Sequence, residues 1–418
     1  MIVDAWLPRA AARHPDRPAI NRITYAQLLG EAARTARRLA GRGVGRGDRV
    51  GIELPPGDQF CIALHAILLL GAIAVPIDVR LGPEERLAVG RSVAKVIDGP
   101  LDGEEADVQL GRWHDLDAVA IVVHTSGSSG RPKPIELTYG NWLWSTLGSC
   151  VALGLDPEER WLCALPLSHV GGLSVVLRSA ITATTAIVHE RFDAERMLYE
   201  LGREEGATMV SLVPTTLQRL LDAGLRSPPA LRWALLGGAP VTPSLVGRAA
   251  AHNVPVATTY GLTEACSQVT TLGAPLFCTD VKLADDGEIL VSGPTVAPSA
   301  GPVLHTGDLG AWNVDGVLHV VGRKSDTIVT GGENVAPAEV EAVLEGHPAV
   351  VEAAVHGVPH REWGEAVVAT VVVRADVSEE DLRAHCAARL ASFKVPKAIR
   401  FSDGLPRTRS GKLMRGRL

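Results

Sequence analysis

The stretch AIVVHTSGSSGRPKP, residues 120–134, decides how this chain is read. An apolar run ends in six residues of nothing but hydroxyls and glycine: Thr125, Ser126, Gly127, Ser128, Ser129 and Gly130. Lys133 follows closely. Glycine tolerates positive φ, so Gly127 and Gly130 can turn successive N–H groups toward one point. The four hydroxyls add donors and Lys133 adds a mobile positive charge. Together they make an anion cradle of the kind a polyphosphate needs. The spacing is not G-x-x-x-x-G-K-[ST], so this is no Walker loop. A buried-type strand before it and a helix expected after it set it apart from a flexible Ser/Gly linker.

Outward from the cradle, β-rich runs alternate with helix-period segments. AIVVHT (120–125), WLCALPL (161–167), TAIVHE (185–190), TMVSLVP (208–214), RWALLGG (232–238) and VPVATTYG (254–261) read as buried strands. Helices are expected at 141–152, 171–182, 193–205, 215–223 and 243–252. In 215–223, Leu217, Leu220 and Leu221 recur at helical spacing, with Arg219 and Asp222 facing out. Such alternation predicts an α/β fold of mostly parallel sheets covered by helices. The run CIALHAILLLGAIAVPI (61–77) holds a histidine and a proline, and reads as a buried helix leading into a strand rather than a membrane span.

After about residue 322 the pattern changes. A helix is expected at 336–347, strands at 350–358 and 366–375, a helix opened by Ser378, and a last strand at 397–402. This predicts a large domain over 1–322, a hinge at 323–326 and a small, mobile α+β domain over 327–418. The 418 residues are too many for a single core in any case. Formal charge is −6 with both signs interspersed, which offers no nucleic-acid or anionic-membrane surface. The cysteines at 61, 150, 163, 266, 278 and 386 show no metal or disulfide spacing and suit a reducing cytosol. The N-terminus lacks the features of a signal peptide. The expectation is a cytoplasmic protein, with a homodimer left open.

TSGSSGRPK (125–133) resembles the phosphate-binding signature of the adenylate-forming superfamily, which includes acyl-CoA synthetases, luciferases and peptide-synthetase adenylation domains. Further motifs follow in the order of that superfamily: LPLSHVGG (165–172), GGAP (237–240), TTYGLTEA (258–265), HTGDLG (305–310), GRKSD (322–326), GGENVAPAEVE (331–341) and PRTRSGK (406–412). Read as residues, Tyr260 offers a flat face for a purine and Glu264 a hard oxygen for Mg²⁺. The resemblance assigns them those roles, puts Thr263 on the phosphates, and places Gly237, Gly238, Ala239, Pro240, Thr259 and Gly261 around the nucleotide. It implies that Asp308 and Arg323 hold the ribose and that Lys412 serves adenylation. Ser325 falls at the hinge, and Gly331 and Gly332 line the path of CoA. Pro134 stands where the superfamily has glycine, and the segment from Glu264 to HTGD is short.

The resemblance implies ATP, Mg²⁺ and CoA as cofactors and co-substrates, and a small carboxylic acid as the partner. Ser168 and His169 leave no acid in LPLSHVGG to pair with an amino group, which argues against an amino acid. This region and TTYGLTEACSQVTTL are most similar to the ligases that join o-succinylbenzoate to CoA in menaquinone biosynthesis. By that likeness His169 and Gly172 wall the acid's pocket. Arg178, the one charge in a run of small and apolar residues, is suited to hold a second carboxylate. Another aryl- or acyl-CoA ligase, or a nucleotide-binding member without ligase activity, stays open at this point.

Overall fold

The computed structural model describes residues 1–126, 132–407 and 413–418. Contacts divide the chain into two compact units. Met1–Val241, Leu245–Val281 and Val291–Leu304 make the first; Thr242–Ser244, Lys282–Leu290 and His305–Leu418 make the second.

Two sheets organise the first unit. The apolar run at 61–77 forms helix α1 (Asp58–Leu70), buried on nearly every side, followed by the strand Ile73–Pro76. That strand belongs to a five-stranded sheet ordered Lys95–Ile97, Arg49–Ile52, Ile73–Pro76, β1 (Val119–Ser126) and β2 (Pro132–Thr138). The first four strands are parallel and β2 returns antiparallel along β1. The helix expected at 141–152 is present, and a strand not singled out in the sequence lies between it and the hydroxyl- and glycine-rich motif. Ile135 and Leu137 are buried while Glu136 between them pairs with Arg49, so this segment has the period of a half-buried strand. Helix α2 (Tyr139–Leu153) then starts at a reciprocal cap. Asn141 N–H donates to Thr138 Oγ1 (3.1 Å), and Thr138 N–H donates to Asn141 Oδ1 (2.8 Å).

The larger, nine-stranded sheet is parallel from Pro18–Ile20 through Thr185–Val188, β3 (Arg160–Cys163), β4 (Met209–Leu212), β5 (Trp233–Leu236) and β6 (Val256–Leu262). Its far edge is antiparallel, where β7 (Ser267–Thr271) folds back on β6. A Cβ on Gly261 would lie 1.6 Å from the Ser267 carbonyl oxygen, so only glycine lets the two strands approach. Helix α3 (Val170–Thr182) is buried along most of its length.

Most of a four-stranded antiparallel-edged sheet lies in the second unit, in the order Asp280–Leu283, Glu288–Ser292, β8 (Leu304–Trp312) and β9 (Leu318–Arg323). The rest of that unit is a five-stranded sheet. It contains β10 (Ile328–Thr330), β11 (Glu333–Val335), β12 (Val350–His360), β13 (Gly364–Val373) and β14 (Ala398–Phe401). Helices α4 (Pro337–Glu345) and α5 (Glu379–Ala387) pack on it through Val340, Leu344, Leu382 and Cys386 against Val367 and Val371. Ser378 caps α5 as its sequence suggests, accepting from the N–H of Asp381 (3.1 Å). The mixed α/β architecture thus follows the expected one. No helix among the described residues is long and apolar enough to cross a membrane.

Candidate active site

Two paired strands flank the hydroxyl- and glycine-rich motif. Thr125 and Ser126 end β1, and Thr125 stands opposite Lys133 of β2 in the register. Lys133 is exposed and makes no ion pair with any described residue. Gly127, Ser128, Ser129 and Gly130 lie outside the described residues, and of Ser126 only the backbone is described.

At the ends of β5 and β6 the first unit brings together GGAP and TTYGLTEA. A Cβ on Gly237 would meet Thr259 Cγ2 at 2.6 Å and its carbonyl oxygen at 2.8 Å, so glycine permits the close crossing of these two segments. Gly238 adopts φ of +78°, and Ala239 and Pro240 follow it exposed. Thr259 Oγ1 donates to the Thr270 carbonyl (2.7 Å), which fixes β6 against β7 beside the half-buried Tyr260. Thr263 and Glu264 then lie in a single 3₁₀ turn, Thr263–Ala265, whose Glu264 carbonyl accepts from Ala297 N–H (2.7 Å). The Glu264 carboxylate has no hydrogen bond or ion pair with any described residue, so its oxygens are available. No group of three or more metal-ligating side chains occurs among the described residues. Mg²⁺ in nucleotide sites is held by one or two carboxylates plus phosphates and water, and a single uncommitted glutamate fits that demand.

The proposed acid pocket centres on α3. His169 is its N-cap residue, its side chain 47% exposed. Its Nε2 is 3.5 Å from Arg80 Nη2 and 3.7 Å from Asp78 Oδ2, while Arg80 Nη2 and Asp78 are themselves paired at 2.6 Å. Desolvation lowers the imidazole below the usual histidine range, with Asp78 opposing and Arg80 adding to the effect. A Cβ on Gly172 would meet the Pro166 carbonyl oxygen at 2.4 Å, so this glycine lets α3 start tightly against the preceding turn.

Arg178 lies two turns further along α3 and is 3% exposed. Its guanidinium sits over the Trp161 ring (4.3 Å to the centroid), and Nη2 donates to Gln268 Oε1 (3.1 Å). Nε and Nη1 are buried without a hydrogen-bond partner among the described residues. Burial lowers the group to about 10, which still leaves it cationic at neutral pH.

In the second unit, Asp308 of β8 and Arg323 of β9 are cross-strand partners, with Arg323 Nε 2.8 Å from Asp308 Oδ1. Arg323 Nη1 also donates to the Thr306 carbonyl (3.3 Å). Gly307 precedes Asp308 within β8 at φ of +70°, its N–H donating to Glu288 Oε1 (3.0 Å). Ser325 lies in the 3₁₀ turn Lys324–Asp326, and its Oγ donates to Asp326 Oδ1 (3.0 Å). Gly331 and Gly332 turn between β10 and β11 with φ of +61° and +87°. A Cβ on either would meet nothing within 4 Å, so glycine serves the backbone there and the space around it is open. Lys412 lies outside the described residues.

Four residues beside these positions were not singled out from sequence: Asp78, Arg80, Trp161 and Gln268. The first two carry a faint signal, an acid and an arginine two apart where a buried strand ends. Trp161 and Gln268 sit inside strand-like runs, and nothing local shows that both face Arg178.

A family model described as AMP-binding enzyme matches residues 7–97 and 89–299, and one described as AMP-binding enzyme C-terminal domain matches 339–412. The 2-succinylbenzoate–CoA ligase of Bacillus licheniformis is 38% identical, over 99% of this chain and 98% of that one. The ligase of the same name from Bacillus subtilis is 35% identical over 99% and 97%. Among solved structures, o-succinylbenzoate CoA synthetase (MenE) from Bacillus subtilis with the acyl-adenylate intermediate OSB-AMP superposes with a TM-score of 0.91 at 34% identity, covering 100% of this chain and 98% of that one. Its complex with ATP and magnesium gives the same TM-score at 34% identity, with 100% of both chains covered.

Proposed function

The chain belongs to the AMP-binding enzyme family, and from that premise we infer that it is an AMP-forming o-succinylbenzoate–CoA ligase. Its end-to-end likeness to ligases of this name, and to a structure holding the acyl-adenylate, carries the reading. A carboxylate oxygen of the acid attacks the α-phosphorus of ATP and pyrophosphate leaves. The thiol of CoA then attacks the acyl carbonyl, the bond to AMP breaks, and o-succinylbenzoyl-CoA is formed.

We assign the steps to this chain's residues as follows. Thr125 to Gly130 and Lys133 cradle the leaving phosphates, with Thr263 beside them. Glu264 would hold Mg²⁺, which when bound would neutralise phosphate charge. Gly237 to Pro240 and Thr259 to Gly261 receive the adenosine, with Asp308 and Arg323 on the ribose. Paired across two strands, those last two side chains hold their rotamers before the nucleotide arrives, which reduces the ordering cost of binding. Lys412 stabilises charge passing between carboxylate and α-phosphate, and the turn at Gly331 and Gly332 admits the thiol. A backbone change around Ser325 switches the small domain between the two steps.

Arg178 answers the chemistry of the acid, which has a carboxylate that reacts and another that must be held. A buried cation with no described carboxylate in ion-pair range is expensive to keep unless an anion visits it. We place the enzyme in the cytoplasm, where its unpaired cysteines stay reduced. The test is direct: the purified chain with ATP, Mg²⁺ and CoA should convert o-succinylbenzoate to its thioester with one AMP released per turnover. Rejection of o-succinylbenzoate with turnover of another aryl acid would move the reading to a different aryl-CoA ligase.

A further inference from the structure

The surroundings of Arg178 combine tight support with a missing negative charge. Trp161 covers the guanidinium and is itself fixed, its Nε1–H donating to Ser211 Oγ (2.8 Å). Gln268 is 2% exposed and held at both ends of its amide: Oε1 accepts from Arg178 Nη2 (3.1 Å) while Nε2 donates to Thr271 Oγ1 (2.8 Å). No described acid lies within ion-pair distance of the guanidinium. Glu159, the acid whose charge is felt at Arg178, is held by Arg232 (3.2 Å) and by the Thr208 hydroxyl (3.2 Å). Cys150 and Cys266 have thiols pushed up by burial and stay neutral. A carboxylate at 268 would give Arg178 a buried ion pair, but the sequence has an amide of nearly the same shape.

We propose that Gln268 is a specificity-determining residue, holding Arg178 by a neutral hydrogen bond so that its charge is left for the second carboxylate of the acid. Trp161 is a positioning residue in the same device, restricting the guanidinium plane while adding no charge. The proposal rests on the reading of Arg178 as the substrate's counter-ion. It explains why, among the described residues, the guanidinium is hydrogen-bonded through Nη2 and not through Nε or Nη1.

Gln268→Glu tests it, because it supplies inside the protein the anion that the substrate should bring. The variant is expected to melt at or above the wild-type temperature. Its kcat/KM for o-succinylbenzoate should fall roughly 10- to 150-fold, the equivalent of one charged hydrogen bond. For the analogue lacking the ring carboxylate it should stay within about 3-fold of wild type. Combining it with Arg178→Ala should add little further loss for the dicarboxylate, since both act on one charge. Equal losses for the two acids, or wild-type selectivity in Gln268→Glu, would overturn the proposal. If that variant fails to fold, Gln268→Met takes its place. Releasing Nη2 should then raise KM for the dicarboxylate alone, and an equal effect on both acids would overturn the proposal. Failure of the wild type to accept o-succinylbenzoate would instead sink the functional reading. The melting temperature of Gln268→Glu still reports whether Arg178 lacks a counter-ion.

Discussion

Lys133→Ala and Glu264→Gln are expected to separate chemistry from folding. Lys133 is exposed and the Glu264 carboxylate has no described partner, so neither change removes a contact that supports the fold. In the proposed roles each removes a charge that serves the reacting phosphates, a loss that typically costs about 10²–10³ in rate. Exchange of labelled pyrophosphate into ATP, driven by o-succinylbenzoate, reads this step directly, and near wild-type exchange in both variants would remove them from the site. Arg178→Ala should lower kcat/KM for o-succinylbenzoate by roughly 10- to 150-fold and leave the monocarboxylic analogue almost unaffected. Arg178→Lys should recover only part of the loss, because an ammonium lacks the planar fork. Glu264 and Arg178 were singled out in the sequence because each is a charge in a run that otherwise has none, and Lys133 because it follows a tract of hydroxyls and glycine. Gln268 was not, since it is a polar residue in a strand whose partner lies 90 positions away.

The hairpin of β6 and β7 depends on one missing methyl group. Gly261→Ala would drive a Cβ into the Ser267 carbonyl at 1.6 Å and force the strands apart. A loss of about 3 kcal/mol or more is expected, visible as a lower urea midpoint and carrying Tyr260, Thr263 and Glu264 out of place. At Gly331 a Cβ meets nothing within 4 Å, so Gly331→Ala should cost only the left-handed backbone term, about 1–2 kcal/mol. Helix α4 carries a second sensitive point. Burial, with Glu341 and Glu352 nearby, raises the Glu345 carboxyl to about 7. The folded second unit therefore holds a proton on Glu345 that the unfolded chain releases near its ordinary 4.5. That contribution is full below about pH 4.5 and is lost as pH rises through 7, on the order of 1–3 kcal/mol. Glu345→Gln should flatten this fall, since an amide keeps the bond that Ala353 N–H now donates (3.2 Å). A slope unchanged by that substitution would show that another group titrates.

Across the whole molecule the most strongly shifted buried groups of the two units, His65 and His114 in one and Glu345 in the other, should respond to pH in opposite directions. In the first, His65 and His114 are buried and neutral, held at about 4 and about 3 by desolvation. Both folded values lie below the ordinary 6.5, so the first unit loses stability as pH falls from 6.5 toward 4. The second unit instead loses Glu345's contribution as pH rises from 4.5 to 7. Hydrogen exchange, corrected for intrinsic rates and resolved by unit, should show protection shifting from second to first between pH 5 and pH 7.5. Parallel trends in both units would contradict the assignment. Catalysis should divide in a similar way. Lys412→Ala is expected to lose adenylation yet convert supplied acyl-adenylate and CoA to thioester, whereas Ser325→Pro should impair the switch between the steps. Equal slowing of both half-reactions by Lys412→Ala would argue against two working orientations.

What the sequence alone determined was local and chemical. Periodicity located the strands around 120–125, 208–214 and 254–261 and the helices between them, because burial on one face imposes a repeat that composition cannot hide. Glycine-rich turns and uncommitted charges marked the nucleotide motifs, because few residue types can approach a phosphate. Tertiary structure decided what depends on partners distant in the chain. Strand β2 was hidden by the glycines before it and by the two prolines at its own start, and its pairing with β1 settles that it is a strand. Gly172, Gly237 and Gly261 look alike in sequence to any turn glycine, and only the approach of Pro166, Thr259 and Ser267 shows that each makes room for a neighbouring backbone. The missing counter-charge at Arg178 was likewise invisible. An absence in a buried site is set by everything that packs there, and Trp161, Glu159, Cys150, Cys266 and Gln268 meet only in the fold.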